Sequence, residues 1–361
     1  MISAIHVPIA HSPYEVLVGR TIMPQLKTHL KRFFSGKQIA VVTNRAIYNL
    51  HGNALRQALD GEGPPLVLFV PDGENAKSFD QVQYLYTKLL ENKFERNSLI
   101  IAFGGGVIGD LAGFVAATFL RGVNFIQVPT TLLAQVDSSI GGKVGVNHPL
   151  GKNLIGAFKQ PLLVFSDIEF LLTLPDAEIR CGLGEVIKYG LVLNKDLFFY
   201  LEENLEKALH KEAPVLQHLV EVSSREKAAI VTRDEQEKNL RMVLNFGHTF
   251  GHALEAEFQF GELKHGEAVI LGMQCALRYA HWQKLLSKED YQRAMALLKR
   301  IPISYDRSRL QIPQLIGRMH LDKKVRDGHI RLVVPDGIGN YRFESAADIT
   351  TLEEAFEVLL Q

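Results

Sequence analysis

The stretch Ser98-Leu-Ile-Ile-Ala-Phe-Gly-Gly-Gly-Val-Ile-Gly-Asp110 decides the fold of this chain. Its apolar run predicts a buried strand, its three consecutive glycines predict a tight turn, and the residues that follow predict a helix. Glycines at 104, 106 and 109 satisfy the pattern G-x-G-x-x-G in the strand–turn–helix context that this pattern requires. Because glycine has no side chain, backbone N–H groups of such a turn can approach a pyrophosphate. The stretch predicts either a nucleotide site or a tight turn without a ligand.

Two features of this stretch differ from the usual dinucleotide fingerprint. It follows a middle strand rather than the first, and no acidic residue lies about 20 positions further on, where Asn124 is the nearest polar group. However, the polar loop Asp72-Gly-Glu-Asn-Ala-Lys77 and the pair Thr130 and Thr131 also follow predicted strands. The carboxyl ends of parallel strands meet at one edge of a sheet, which is where such sheets bind ligands. Three such loops favour a nucleotide crevice over a set of solvated turns.

Short β-branched runs alternate with helical patterns on both sides of the glycine stretch, up to about residue 175. We predict strands at 5–9, 15–18, 38–43, 66–70, 98–103, 125–128 and 163–166. The first two flank His11-Ser-Pro13 and predict a hairpin, whereas the later runs are continuously apolar, as expected for parallel strands covered on both faces. Helical patterns lie between them at 22–34, 46–60, 78–92 and 107–119. This alternation predicts a Rossmann-like, doubly wound α/β domain.

Helical patterns dominate after Leu174-Pro175-Asp176. They cover 176–190, 195–210, 214–233, 246–259, 265–284 and 288–300, and a strand pattern returns only near 330–334. The proline provides a break and the segment Thr173–Asp176 an N-cap, so we place a domain boundary there. We expect a nucleotide-binding α/β domain at 1–175 and a mostly α-helical metal- and substrate-binding domain at 176–361.

Composition excludes several classes of protein. Apolar residues make up 47% and charged residues 22% of the 361 residues, as in ordinary globular proteins. Forty Lys and Arg balance forty Asp and Glu, whereas a nucleic-acid or membrane-surface binder would show a basic excess. The two cysteines, Cys181 and Cys275, form no CxxC pair, which excludes a disulfide scaffold and fits a reducing compartment. The N-terminus has no signal-peptide pattern and Asp110 interrupts the longest apolar stretch, so we expect a cytoplasmic protein without a membrane span.

Three histidines and one glutamate predict a metal site. The segment Asn245-Phe-Gly-His-Thr-Phe-Gly-His-Ala-Leu-Glu255 places His248 and His252 four residues apart, on one face of a predicted helix. His265 begins another predicted helix, and Glu185 lies among apolar residues, where an unpaired carboxylate is costly. A catalytic zinc ion takes three nitrogen or oxygen ligands and keeps one position open. The alternative is a set of packed histidines, and a metalloprotease is disfavoured because HExxH is absent from this segment.

A third group of candidate residues is cationic and polar. The glycine-punctuated segment 135–153 predicts a long loop, and long ordered loops are usually functional or mobile. It carries Asp137, Lys143, Lys152 and Asn153. Further cations near the motifs are Arg121, Lys188, Lys227, Arg241 and Lys324. Each alone is compatible with a solvated surface charge, whereas together they suggest an anionic small molecule held by point charges and forked donors.

These segments together resemble the 3-dehydroquinate synthase family. The resemblance covers essentially the whole chain and rests on seven segments, which are 72–78, 104–110, 119–123, 127–143, 182–190, 245–252 and 265–267. Val144 stands where the family pattern leads us to expect a threonine, which affects local hydrogen bonding. The resemblance implies conversion of 3-deoxy-D-arabino-heptulosonate 7-phosphate to 3-dehydroquinate and phosphate in the shikimate pathway. It also implies catalytic NAD, a divalent metal (zinc or cobalt) and a homodimer.

The resemblance also implies roles for individual residues. Glu185, His248 and His265 would hold the metal, and His252 would lie behind them or contact phosphate. NAD would contact Asp72, Gly73, Glu74, Asn75, Ala76, Lys77, Gly106, Val107, Ile108, Gly109, Asp110, Thr130, Thr131, Lys143, Lys152, Phe170, Leu171, Leu172 and Thr173. The substrate carboxylate would face Lys227, Arg241 and Asn245, and its phosphate would face Lys152, Asn153, His252 and Lys324. Lys143 and Lys152 would serve both the nicotinamide side of NAD and the substrate. Arg121 would reach from a partner subunit, and Asp137 and Lys188 complete the implied catalytic set.

Three other functions stay open at this point. One is a related sugar-phosphate cyclase, such as a deoxy-inosose or valiolone synthase, which would take a substrate without a carboxylate. Another is a metal-dependent polyol dehydrogenase of similar build, which would produce NADH. A non-catalytic metal- or nucleotide-binding protein is the third.

Overall fold

The structure is a computed structural model that describes residues 2–36, 38–61, 63–258, 262–320, 325–326, 329–346 and 348–360. The strands are β1 (Ser3–Val7), β2 (Tyr14–Gly19), β3 (Ile39–Thr43), β4 (Leu66–Phe69), β5 (Leu99–Gly104), β6 (Asn124–Pro129), β7 (Lys143–His148), β8 (Gly151–Phe158), β9 (Leu163–Asp167), β10 (Val325–Arg326), β11 (His329–Pro335) and β12 (Tyr341–Ala346). The helices are α1 (Leu26–Phe33), α2 (Arg45–Ala58), α3 (Phe79–Glu91), α4 (Gly106–Thr118), α5 (Glu169–Leu172), α6 (Asp176–Val192), α7 (Lys195–Leu209), α8 (Ala213–Arg233), α9 (His248–Glu257), α10 (His265–Trp282), α11 (Lys288–Lys299), α12 (Ile312–His320) and α13 (Ile349–Glu357).

The first half of the chain forms a sheet in the order β1-β2-β9-β6-β5-β3-β4. All neighbours in this sheet are parallel except β1 and β2, which form the predicted antiparallel hairpin at one edge. Helices connect β2 to β3, β3 to β4, β4 to β5 and β5 to β6, whereas the long connection from β6 to its parallel neighbour β9 contains β7 and β8. The predicted doubly wound α/β fold is therefore confirmed.

Both faces of this sheet are buried, which explains the continuous apolar runs in the sequence. Along β5, Ile100 and Ala102 point into one core cluster with residues of α3 and α4. Leu99, Ile101 and Phe103 point into a second cluster with residues of α1 and α2. Successive side chains of a strand face opposite sides, so a central strand covered on both sides has no polar alternation.

The segment 135–153 differs from the predicted loop. The π-helical turn Ala134–Ser138 overlaps its start, and from Lys143 onward it enters the two-stranded antiparallel hairpin of β7 and β8, which continues to Phe158. The two strands lie very close together, as shown by the 2.5 Å that would separate a Cβ on Gly145 from the Ile155 carbonyl oxygen. Glycines that look like loop residues in the sequence here permit close approach of two strands.

The chain separates into two compact units, residues 1–174 with 211–236 and residues 175–210 with 237–361. The expected domains, 1–175 and 176–361, differ from these units by helix α8, which packs with the first unit. There, Ser224 Oγ of α8 donates to the Gln135 carbonyl oxygen at 3.3 Å, and Arg225 donates to Ser3 Oγ at 3.0 Å. The domain assignment stays a proposal.

The second unit contains seven of the helices listed above and a three-stranded sheet in the order β10-β11-β12. The strand expected near 330–334 is β11, and β12, α12 and α13 were not predicted from the sequence. Within the described parts of the chain, none of the helices combines the length and apolar composition needed to cross a bilayer.

Candidate active site

The glycine turn, residues 104–106, joins the end of β5 to the start of α4. Thr130 N donates to the Gly104 carbonyl oxygen at 3.0 Å and so ties this turn to the end of β6. A Cβ on Gly106 would lie 2.8 Å from Ser138 Oγ, so no larger residue fits there without a shift. Ser138 Oγ is buried and has no hydrogen-bond partner among the described residues. A helix N-terminus, a glycine backbone and an unsatisfied hydroxyl together suit a pyrophosphate.

Lys77 links the loop 72–77 to the start of α4. Its Nζ lies 2.7 Å from Asp110 Oδ2, 2.5 Å from Asn153 Oδ1 and 3.6 Å from Glu74 Oε1. The Lys77 side chain is only 4% exposed. Burial works to lower its pKa, but the carboxylates of Asp110 and Glu74 outweigh burial and raise the pKa of Lys77 above its ordinary value. Lys77 is therefore a charged structural centre of this loop at neutral pH.

Two asparagines that we did not select from the sequence hold the carboxylates of the same loop. Asn44 Nδ2 donates to Asp72 Oδ1 at 2.8 Å while Asn44 also caps helix α2. Asn147 Nδ2, on β7, donates to Glu74 Oε1 at 2.7 Å. In the sequence, Asn44 is a polar residue after the predicted strand 38–43 and Asn147 lies in the predicted loop 135–153, so neither stood out.

The predicted residues Asp137 and Lys227 meet within the first unit. Lys227 Nζ donates to Asp137 Oδ1 at 2.7 Å and to the Asp137 carbonyl oxygen at 2.5 Å. Asp137 lies in the π-helical turn 134–138, and such turns are frequent at functional sites. The Lys227 side chain is largely buried, so its ammonium is held by Asp137 rather than by solvent.

The other nucleotide candidates differ in exposure. Thr130, Phe170 and Leu171 are buried, whereas Thr173 is exposed. Phe170 packs against Phe103, and the remaining candidates Lys143 and Lys152 lie on the hairpin of β7 and β8. A contact between Phe170 or Leu171 and a nucleotide would therefore involve the main chain.

The predicted residue Arg121 lies apart from this group. Arg121 is exposed beyond the C-terminal end of α4, whose 13 residues span about 20 Å at 1.5 Å per residue. The structure therefore does not bring Arg121 to the glycine turn of its own chain. Lys324 lies outside the described residues.

The predicted metal ligands converge in the second unit. Glu185 Oε1 lies 3.5 Å from His248 Nε2 and 3.9 Å from His265 Nε2. The Glu185 side chain is 1% exposed, and Oε1 has no hydrogen-bond partner among the described residues. Glu185 Oε2, in contrast, accepts a hydrogen bond from Lys188 Nζ. An unsatisfied buried carboxylate oxygen facing two imidazole nitrogens is an arrangement that a divalent cation would satisfy.

The other nitrogen of each imidazole determines which atom faces Glu185. His248 Nδ1 lies 3.2 Å from the Phe246 carbonyl oxygen, and His265 Nδ1 lies 3.2 Å from Glu255 Oε2. A carbonyl or carboxylate oxygen only accepts, so each Nδ1 carries the proton. Both Nε2 atoms therefore present lone pairs toward Glu185 Oε1, and this tautomer is the one a metal ligand needs.

Glycines beside the three ligands allow the helices that carry them to approach closely. A Cβ on Gly266, next to His265, would lie 2.0 Å from the Cys181 carbonyl oxygen, and one on Gly184 would lie 2.7 Å from the Gly266 carbonyl oxygen. Gly247, before His248, has φ of 78°, which favours glycine. Helix α10 therefore packs on α6 and α9 at backbone distance, and this packing brings the three ligands together.

Three further candidates belong to the second unit, and one of them, His252, lies beside the ligands. The His252 ring centroid lies 5.6 Å from that of His248. Arg241 is 3% exposed on the 3₁₀ helix Leu240–Asn245, and Asn245 Nδ2 donates to Glu237 Oε1 at 2.9 Å. Arg241 and Asn245 thus lie on the same short helix, and a guanidinium and an amide are both groups that can bind a carboxylate.

Comparisons with known proteins identify relatives along most of the chain. The family model described as 3-dehydroquinate synthase N-terminal matches residues 67–181, and the one described as 3-dehydroquinate synthase C-terminal matches residues 182–325. The 3-dehydroquinate synthase of Thermodesulfovibrio yellowstonii is 41% identical over 345 residues, which are 94% of this chain and 95% of that protein.

Solved structures share the fold over nearly the whole chain. A 2-deoxy-scyllo-inosose synthase complexed with carbaglucose-6-phosphate, NAD⁺ and Co²⁺ has a TM-score of 0.88 at 24% identity, with 98% of this chain and 99% of that one covered. The 2-epi-5-epi-valiolone synthase ValA from Streptomyces hygroscopicus, with NAD⁺ and Zn²⁺ bound, has a TM-score of 0.87 at 26% identity and 96% coverage of both chains. Both family models together cover most of the chain, and it belongs to the 3-dehydroquinate synthase family.

Proposed function

We propose that this chain converts 3-deoxy-D-arabino-heptulosonate 7-phosphate to 3-dehydroquinate and phosphate, the reaction named by its family and a step of the shikimate pathway. The observation that carries the proposal is the convergence of Glu185 Oε1 with the Nε2 atoms of His248 and His265. A site of two histidines and one carboxylate leaves a metal position open for a substrate oxygen. This arrangement, in the same chain as a nucleotide-type glycine turn, suits oxidation at a hydroxyl carbon.

The cofactors are NAD and a divalent metal, zinc or cobalt. Glu185, His248 and His265 would hold the metal, and the glycine turn would hold NAD. The metal would acidify a substrate hydroxyl, and NAD would supply a hydride acceptor that is restored within each turnover. The backbone N–H groups at the start of α4 would bind the pyrophosphate, and Asp72, Glu74 and Lys77 would lie near a ribose. Thr130, Thr131 and residues 170–173 complete this proposed nucleotide site.

The chain's own cations bind and orient the anionic sugar phosphate. In the proposal, Lys227, Arg241 and Asn245 face its carboxylate, while Lys152, Asn153, His252 and Lys324 face its phosphate. Asp137 fixes the Lys227 ammonium at 2.7 Å and Lys188 holds the second oxygen of Glu185. These groups mainly orient the substrate and stabilise charge, because the departing phosphate itself can take up the proton during elimination.

The proposal includes a homodimer in which Arg121 serves the site of the other copy. Leu120 and Arg121 have φ values of 48° and 69°, a conformation that costs about 1–3 kcal/mol for residues other than glycine. Such strain is often found at functional positions, and Arg121 is exposed on its own chain. We also propose a cytoplasmic location, which the two free cysteines support.

One alternative function deserves a direct comparison, because a 2-deoxy-scyllo-inosose synthase shares the fold. An enzyme whose substrate lacks a carboxylate does not need a buried guanidinium to bind that group. Arg241 is 3% exposed, so its burial favours the carboxylate-bearing substrate.

The experiment measures phosphate release from 3-deoxy-D-arabino-heptulosonate 7-phosphate with substoichiometric NAD and with zinc, while NADH absorbance is followed. We expect many turnovers of phosphate per NAD, no accumulating NADH, and loss of activity after chelation. The variant His248→Ala should stay folded by circular dichroism but lose stoichiometric metal, whereas His6→Ala, at an exposed position, should keep it. Phosphate release only from a sugar phosphate without a carboxylate, or net NADH from a polyol, would reject the proposal, and full metal content in His248→Ala would reject the ligand set.

A further inference from the structure

We infer that Glu255 is a positioning residue that fixes the orientation and tautomer of His265 and thereby the affinity of the metal site. The inference rests on the proposed ligand set of Glu185, His248 and His265. It adds a residue that binds neither metal nor substrate. Glu255 is buried, at 4% exposure, on helix α9.

The geometry places His265 between two carboxylates. Its Nε2 lies 3.9 Å from Glu185 Oε1, and its Nδ1 lies 3.2 Å from Glu255 Oε2. Glu255 comes two helical turns after His248, so one face of α9 carries both a ligand and the residue that orients another ligand. His265 is the first residue of α10, where the backbone of a helix is least constrained by internal hydrogen bonds. Its ring therefore depends on a side-chain partner.

A comparison with His248 shows what this partner does. The Phe246 carbonyl oxygen, a main-chain acceptor, holds His248 Nδ1 at 3.2 Å. The equivalent acceptor for His265 is the Glu255 carboxylate. Because a carboxylate accepts and is negatively charged, it selects the Nδ1–H tautomer and makes Nε2 a stronger donor to a cation. The loss of such an outer partner typically lowers metal affinity about 10–100-fold.

The same residues could form a second metal site, since His252, Glu255 and His265 also offer ligand atoms within 4.8 Å of one another. The hydrogen bond from His265 Nδ1 to Glu255 argues against this. If His265 Nε2 serves the site with Glu185, a second ion on Nδ1 would require the imidazole to lose its remaining proton. The structure therefore favours one ion and one orienting carboxylate over two ions.

The test compares Glu255→Gln with the matched control Glu257→Gln on the same helix, whose carboxylate pairs with Arg318 at 3.1 Å. Zinc affinity is measured by competition with a chromophoric chelator, and the Co²⁺-loaded proteins are compared by their visible absorption. We expect Glu255→Gln to lose about 10–100-fold in affinity with an altered cobalt spectrum, and Glu257→Gln to match the unmodified chain. A purely structural role predicts instead lower stability of the metal-free protein with unchanged affinity.

Unchanged zinc affinity and cobalt spectrum in folded Glu255→Gln would overturn the inference, and so would two zinc ions per unmodified chain. If the unmodified chain binds no zinc, the proposed ligand set fails instead. Should Glu255→Gln not fold, ¹⁵N chemical shifts of the histidine rings in the unmodified metal-free protein give the answer. We expect His265 as the Nδ1–H tautomer, and a proton on Nε2 would overturn the inference.

Discussion

At the scale of single residues, the position of one proton on a ring decides what the ring can do. His265 and His248 are each held at Nδ1, which directs the Nε2 lone pairs toward Glu185. The histidines and Glu185 could be predicted as metal ligands from the sequence, because the spacing of the histidines and the apolar residues around Glu185 indicate such a site. It could not supply Glu255 or Ser138, because a glutamate on a helix and a serine in a polar segment carry no signal until the fold shows that they are buried.

His51 provides a prediction on pH at this scale. Its Nε2 lies 2.9 Å from Thr173 Oγ1, and its ring packs on Phe170 at 4.8 Å between centroids. Burial lowers the pKa of His51, and the Asp167 carboxylate only partly opposes this. The unfolded chain therefore binds a proton near pH 6.5 that the folded chain binds only at lower pH, so stability falls as pH decreases below about 6.5.

We expect His51→Gln to make the free energy of unfolding less dependent on pH between about pH 7 and about pH 5. Urea unfolding at several pH values measures this slope. Part of the slope should remain, because burial also lowers the pKa of His29 and His218. His6→Gln, at an exposed position, is the control. An identical slope in His51→Gln and the unmodified chain would contradict the prediction.

At the scale of elements, sequence patterns predicted most of the helices and strands of the parallel sheet, because both faces of that sheet are buried and its runs are apolar. The hairpin of β7 and β8 was missed, because its glycines and charges are those of a loop. Only the fold shows why they are there. Gly113 of α4 faces Val144 of β7, and a Cβ on Gly113 would lie 2.3 Å from Val144 Cγ1. Val144, the departure from the family pattern, is thus a core residue.

This contact predicts a coupling between two substitutions. Gly113→Ala should destabilise the protein by about 1–3 kcal/mol through overpacking, less a gain of up to about 1 kcal/mol from helix propensity. Val144→Ala should also destabilise it, because a buried side chain is shortened. The double variant should be more stable than the sum predicts, with a coupling of about 0.5–3 kcal/mol, because the shortened side chain leaves room for the new methyl group. Urea unfolding of the four proteins measures the coupling, and additive effects would show that α4 and β7 do not meet there.

At the scale of the whole molecule, the order of residues along the chain does not follow its compact units. The sequence pattern changes from alternating strands and helices to mostly helices at Pro175, and the structure has a helix boundary there, since α6 begins at Asp176. Yet α8 returns to the first unit, where Lys227 binds Asp137 and Ser224 binds Gln135. The sequence pattern of α8 does not show which unit it packs against, because an amphipathic helix has the same pattern of apolar and polar residues whichever core it covers.

The return of α8 predicts how a truncated chain behaves. Residues 1–174 alone should show weak cooperativity and bind a hydrophobic dye, because the surface of β1, β2 and the π-helical turn that α8 covers is exposed to water. A peptide of residues 211–236 added in trans should restore the missing contacts. At about one hundred times its dissociation constant, the peptide would raise the free energy of unfolding by about 2.7 kcal/mol, which raises the transition temperature by roughly 5–10 °C for a fragment of this size.

The peptide carrying Lys227→Ala should be less effective, because Asp137 then loses its ammonium partner. Differential scanning calorimetry with each peptide decides the matter, and a fragment that unfolds cooperatively and responds to neither peptide would mean that α8 contributes nothing to the first unit.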